Sequence, residues 1–232
     1  QISSQYFGHL NEYLNSFVGG GIMFLWINQQ GTSPETAALL SNQNFRQPLN
    51  YGFDLSATVN AVNPGYKAYN RLVDSNFAGP DGGKFVDEYP VETVPLSGDV
   101  DKAKEYLAAA MEELGYSDVS QLPQLELITW DTSEQKLLLE TIIDQWKQNL
   151  GLENIQLTQY VIGTAIGSFY DLSYDLFAIT WETDVLPTDI MEAMVTGGEV
   201  NYGIWSDAQF DSLVEQAINE LEPDKQAELT AQ

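Results

Sequence analysis

Residues 174–189 read YDLFAITWETDVLPTD, and the fold turns on this stretch. Up to Trp181 it is apolar at nearly every position, which suits a short strand covered on both faces. Directly after Trp181 come Glu182, Thr183 and Asp184, then Pro187, a polar break that ends the strand. A strand buried on both sides needs helices on both sides of its sheet, so the chain is predicted to be α/β.

The neighbouring segments agree. Residues 22–28 (IMFLWIN) follow the glycine run 19–21 and read as another buried strand; 125–130 (LELITW) is a short strand, and 155–161 (IQLTQYV) alternates as a half-buried one. Residues 44–62 carry Phe45, Leu49, Phe53 and Val59 at roughly helical spacing. Pro48 is tolerable there only in a first turn, and Asp54 or Ser56 can cap a restart, so a helix, a break and a second helix are expected. Residues 98–115 place Val100, Ala103, Leu107, Met111 and Leu114 on one stripe between an Asp cap and a terminal glycine.

Thr132 with Gln135 reads as a capping box opening a helix to Leu150, with Leu138, Ile142, Trp146 and Leu150 on its apolar face. Ser206 with Gln209 reads as a second box, starting a helix through Phe210, Leu213, Val214 and Ala217 that Pro223 stops. Residues 63–96 are rich in Gly, Pro, Asn and Asp and read as an irregular surface crossing without a core of its own. Strands alternating with helices predict a mixed or parallel sheet flanked by helices. There is no internal repeat, low-complexity tract or internal domain boundary. Because residues 224–232 read as a helix, residues 1–232 are expected to be a single lobe excised from a longer protein and truncated at both ends.

Nine Lys plus Arg against 34 Asp plus Glu give a net charge of −25, with 44% hydrophobic and 12% aromatic residues. That apolar fraction describes a folded acidic protein and not a disordered polyelectrolyte. The charge repels phosphate backbones and anionic lipid, so nucleic acid is not an expected partner, whereas amine-bearing ligands suit it. The absence of cysteine removes disulfides, thiolate catalysis and iron–sulfur ligation. His9 is the only histidine, too little for a His-based metal site or a Ser–His relay, and no metal or cofactor is expected. The glycine run 19–21 lacks the Lys and Ser/Thr of a phosphate loop and precedes a strand.

The candidate chemistry gathers after the strand at 174–181. In extended backbone Glu182 and Asp184 project to one side, Trp181 and Thr183 to the other. Carboxyl ends of strands in α/β sheets are where ligands bind. Three readings of the acidic pair stay open: a solvated loop, an anchor for a ligand amine, and a general acid/base pair. Trp181, Tyr202 and Trp205 offer stacking surface or ordinary core. Glu112 and Glu113 read as solvated charge on a helix face.

Ordered segments resemble a known family. FLWIN at 24–28 resembles its strand ending in Asn; FRQPLNYGFD at 45–54 resembles its V-R-x-A-L-x-x-A-[IF]-D helix, matching at Arg46, Leu49, Phe53 and Asp54. DKAKEYLAAAMEELG at 101–115 resembles its A-K-x-L-L-x-x-A-G helix. YDLFAITWETD at 174–184 resembles Y-D-x-x-x-x-x-W-x-x-D, and NYGIWSDAQFDSL at 201–213 the segment that follows it. The set is similar to the C-terminal lobe of bacterial solute-binding proteins of the oligopeptide-binding type, family 5, which serve peptide ABC importers. Pro48 stands where that family usually has Ala, and Ala178 where some members place a basic residue that meets a peptide carboxylate.

The resemblance implies one lobe of a type II periplasmic-binding-protein-like fold, in a receptor that closes over a peptide or similar small solute. It implies a peptide bound as an added strand and an Asp at the position of Asp184 holding the α-amino group. The ligand-binding residues expected are Trp181, Glu182, Thr183, Asp184, Asn201 and Tyr202, with no catalysis. The expected partners are the ligand, a membrane permease of an ABC importer and a missing N-terminal lobe. The expected location is extracytoplasmic, as a cell-surface lipoprotein or a periplasmic protein. Two alternatives stand beside this reading: an acidic glycoside hydrolase or carbohydrate-binding module using Glu182 and Asp184, or the same fold binding nickel complexes, sugars or haem.

Overall fold

The computed structural model describes residues 21–73, 75, 77–182 and 187–232. Four strands form one mixed sheet: β1 (Gly21–Ile27), β2 (Leu125–Trp130), β3 (Ile155–Tyr160) and β4 (Leu176–Glu182), in the order β1-β4-β2-β3. β1 runs antiparallel to β4 over all seven residues, from Gly21↔Glu182 to Ile27↔Leu176. β2 is parallel to β3 along its whole length. It is parallel to β4 only at Leu127↔Leu176 and Ile128↔Phe177.

Alternation along the strands sends side chains into two cores. Leu125, Leu127, Leu176 and Ala178, with Met23, Leu25 and Ile27 partly buried, face one layer of helices. That layer comprises α1 (Pro34–Ser41), α2 (Gln43–Tyr51), α3 (Leu55–Val62), α5 (Val100–Leu114) and α6 (Ser133–Leu150). Trp146 of α6 is fully buried there and donates Nε1–H to the Leu49 carbonyl at 3.1 Å. Trp26, Ile128, Phe177 and Ile179 face the other layer, formed by α7 (Ile162–Tyr170), α8 (Pro187–Met194), α9 (Ala208–Asn219) and α10 (Pro223–Ala231). Apolar runs without alternating polar residues are what a sheet covered on both faces requires.

Several local expectations are corrected. Pro48 is not in the first turn of α2 but deep inside it and buried, costing the helix one ladder bond while filling the core. The Thr132 hydroxyl accepts from Gln135 N, but the Gln135 side chain turns to Thr129 instead of closing the box. The cap of α9 is Asp207, accepting from Gln209 N and Phe210 N, while Ser206 bonds the Thr196 hydroxyl. α9 ends at Asn219, and Pro223 opens α10, a position where its missing N–H is harmless. The crossing 63–96 includes the short helix α4 (Phe85–Glu88) and contributes Val73 and Phe85 to the second core. Glu113 is exposed but accepts from the side-chain amides of Asn42 and Asn44, and those two bonds hold its carboxyl below the usual range.

Three further helices had no assignment from the sequence. α1 has its signals in plain view, Ser33 as cap and Pro34 at the first position. α7 carries two glycines, and α8 opens on Pro187 directly after the polar segment.

Candidate ligand-binding site

β1 and β4 stay paired to the last residue of β4, while β2 leaves β4 after Phe177. From Ala178 onward β4 therefore has a strand neighbour on one side only, among the described residues. The Ala178 carbonyl points toward β2, because it accepts from the Thr129 hydroxyl at 3.1 Å. Main-chain groups along a strand alternate sides with a period of two, so the N–H and C=O of Thr180 and Glu182 point the same way. They form a short open strand edge at the carboxyl ends of β2, β3 and β4. Thr180 is exposed. The rim beside it holds Trp130 and Tyr160, followed by Val161 and Ile162, which are 69% and 61% exposed.

The predicted site residues divide between the two ends of the sheet. Trp181 and Glu182 close β4, opposite Ile22 and Gly21. Thr183, Asp184 and His9 lie outside the described residues. Asn201 and Tyr202 are near the start of β4, and its six steps to Glu182 span about 20 Å. Asn201 is buried, donating to the carbonyls of Val195 and Trp205 and accepting from Trp205 N. The Tyr202 carbonyl accepts from the Tyr174 hydroxyl at 2.6 Å, and its ring lies 4.3 Å from that of Phe169. The structure thus does not bring Asn201 and Tyr202 to the Trp181 end: both brace the loop under the second core. Trp205 packs edge-on against Phe210 at 4.8 Å in the same core. Burial pushes the Tyr174 phenol well above its ordinary value.

Two buried polar residues that position β4 were not picked out by the sequence reading. Asn28 donates to the carbonyls of Leu172 and Tyr174 and accepts from Gln30 N. Asp175 accepts from Thr32 N at 2.9 Å and the Thr32 hydroxyl at 2.8 Å through Oδ1, and from Glu126 N at 3.1 Å through Oδ2. Both stand in the motifs quoted above, the strand ending in Asn and the Y-D pair, and that was their signal. A largely apolar cavity of about 490 Å³ lies elsewhere, between the crossing 70–93 and α8–α10, with Phe85, Met191 and Val214 among its walls. It does not coincide with the open edge. No group of three or more His, Cys, Asp or Glu among the described residues is placed to hold a metal ion.

With this geometry in view, the sequence profile of bacterial extracellular solute-binding proteins, family 5 Middle, matches residues 3–202. The chain belongs to that family. Family 5 relatives include the oligopeptide-binding protein OppA of Bacillus subtilis, 27% identical over 194 residues, covering 82% of this chain and 34% of that protein. The dipeptide-binding protein DppE of the same organism is 26% identical over 183 residues, covering 78% and 32%. The chain thus spans about a third of the length of these relatives. Among solved structures, Listeria monocytogenes OppA bound to peptide matches with a TM-score of 0.78 at 20% identity, over 98% of this chain and 43% of that one. Haemophilus influenzae OppA in complex with RPPGFSPFR matches with a TM-score of 0.75 at 17% identity, over 100% and 44%. The fold is that of a type II periplasmic-binding-protein lobe.

Proposed function

We propose that this chain is one lobe of a two-lobed extracytoplasmic receptor that captures peptides for an ABC importer. The observation that carries the reading is the one-sided end of β4. Its N–H and C=O groups at Thr180 and Glu182 match the main chain of an extended peptide and take no account of side chains, which is strand addition. The names of the relatives, oligopeptide- and dipeptide-binding proteins, support the same ligand class. The second lobe would complete the cleft and exclude water, strengthening each polar contact made there.

Asp184 follows the open edge by two residues and is proposed as the anchor of the ligand's α-amino group, flanked by Trp181, Glu182 and Thr183. The permease partner, and a lipid-anchored or periplasmic location, belong to the same proposal. The alternative of a glycoside hydrolase built on Glu182 and Asp184 has no support from the relatives, which are binding proteins by name.

The test is calorimetry on the intact receptor with penta-alanine and its singly N-methylated analogues. Binding of the parent peptide, with at least one methylation weakening it by about tenfold through a lost main-chain bond, is the expected result. Equal binding of all analogues would remove strand addition from the reading.

A further inference from the structure

A peptide on the edge of β4 leaves untouched the cavity of about 490 Å³ between the crossing 70–93 and α8–α10. That volume falls within the range of sites for small organic ligands. Its lining includes Val73, Phe85, Met191 and Val214, all buried in the second core. Aromatic rings come to it from both sides. On the crossing Phe85 stacks on Tyr89 with ring centroids 5.2 Å apart, and at the entry to α9 Trp205 meets Phe210 edge-on at 4.8 Å.

The charge around this apolar hollow is predominantly negative. Glu88 is folded back on the turn before it, accepting from Asp81 N and Gly83 N. Asp224 and Glu228 are exposed and one turn apart on α10, hence on one face. Desolvation, and then the charges of Asp224, Glu228, Asp81 and Glu88, hold the Tyr89 phenol above its ordinary value, so these carboxylates gather about that ring. Asp207 adds another within the lining itself, its Oδ1 accepting from Gln209 N and Phe210 N. Among the described residues the lining has one cation to set against them, Arg71, whose Nη1 donates to the Val86 carbonyl at 2.9 Å.

Aromatic walls attract a cation through the negative faces of their rings, and an apolar body gains by burial against them. An anion would be repelled by the surrounding carboxylates. A fully substituted ammonium has no N–H to satisfy, so ring faces can replace its water. We propose that this cavity is a second ligand site, separate from the open edge of β4, for a small organic cation that joins a substituted ammonium to an apolar body.

The experiment is calorimetry on the intact receptor with benzyltrimethylammonium, with tetramethylammonium, which has the charge without the body, and with phenylmethanesulfonate, which has the body with the opposite charge. Saturable binding of one benzyltrimethylammonium is expected, with the other two weaker by at least about tenfold, and saturating penta-alanine should leave it unchanged. Val214→Trp, which fills the cavity from its buried wall, should weaken the cation by at least about tenfold. Asp224→Asn with Glu228→Gln, two exposed changes that spare the core, should weaken it about threefold. If Val214→Trp does not fold, this second variant decides alone. Four results would each overturn the inference: no saturable binding by the intact receptor, as when another part of the polypeptide fills the cavity; equal binding of tetramethylammonium, which reduces the contact to surface charge; displacement by penta-alanine, which moves the cation to the edge of β4; and binding unchanged in the variants.

Discussion

Replacing Asp175 by alanine should be among the most damaging single changes at a polar position in this lobe. The side chain is 2% exposed and accepts three hydrogen bonds, two from Thr32 and one from Glu126 N. They tie the entry to α1, 143 residues away in sequence, and the start of β2 to β4. A hydrogen bond to a charged acceptor contributes about 1.5–3 kcal/mol. Thr32 is exposed, so water replaces the carboxylate there at small loss, while Glu126 N–H lies between strands with less access. A total of about 3 kcal/mol follows, equivalent to a fall of about 6–12 °C in Tm for a chain of this size. Asp175→Asn keeps one acceptor oxygen and should lose about half as much. Urea unfolding followed by tryptophan fluorescence measures both. A loss below about 1 kcal/mol for Asp175→Ala, the level of an ordinary exposed hydrogen bond, would refute the argument that this carboxylate holds the sheet's entry together.

Asp184→Asn in the intact receptor should weaken free-amine peptides by about one to two decades, the value of a charge-assisted bond in a dry cleft, and leave N-acetylated peptides nearly unchanged; calorimetry on both peptide forms checks it. Tyr174 has a folded-state pKa raised by burial above its ordinary value of 10.0, so its contribution is complete below pH about 10 and is lost as pH rises further, when only the unfolded phenol ionises. Tyr174→Phe should flatten that alkaline loss while costing about 1 kcal/mol at neutral pH for the bond to the Tyr202 carbonyl, as denaturation across pH 7–11 would show. Gly98 has φ +72, and a Cβ there would meet the Phe53 carbonyl oxygen at 2.4 Å. Gly98→Ala should therefore destabilise by about 2 kcal/mol or more, read from the unfolding midpoint.

Where burial is two-sided, the strands were legible, because a run such as LFAITW has no second reading once turns bound it. Helix ends were less so. Asp207 and Ser206 are adjacent and chemically equivalent as caps, and only the backbone decides between them. α7 hid behind Gly163 and Gly167, whose low helical propensity is overridden by Ala165 and Phe169 packing on the sheet. For the site, the position of Trp181 and Glu182 at a strand end was readable from the apolar run and the polar break. The grouping of Asn201 and Tyr202 with them was not, since sequence proximity to a motif says nothing about which end of the sheet a loop returns to.

The antiparallel pairing of β1 with β4 has a consequence for the chain as it is made. Ile27 leaves the ribosome about 150 residues before its partner Leu176. At cellular rates of elongation that is a delay on the order of 10–30 s. Throughout it the segment GIMFLWI, apolar, uncharged and free of proline, is a strand without a sheet, the composition that invites association with other chains. The helices of the first layer, from α1 to α6, emerge within that interval and can collapse on one another, but they cannot cover both faces of β1. Among the four described strands the first to be synthesised is thus paired only when the last emerges, and a chaperone holding this one heptapeptide would protect it over that interval.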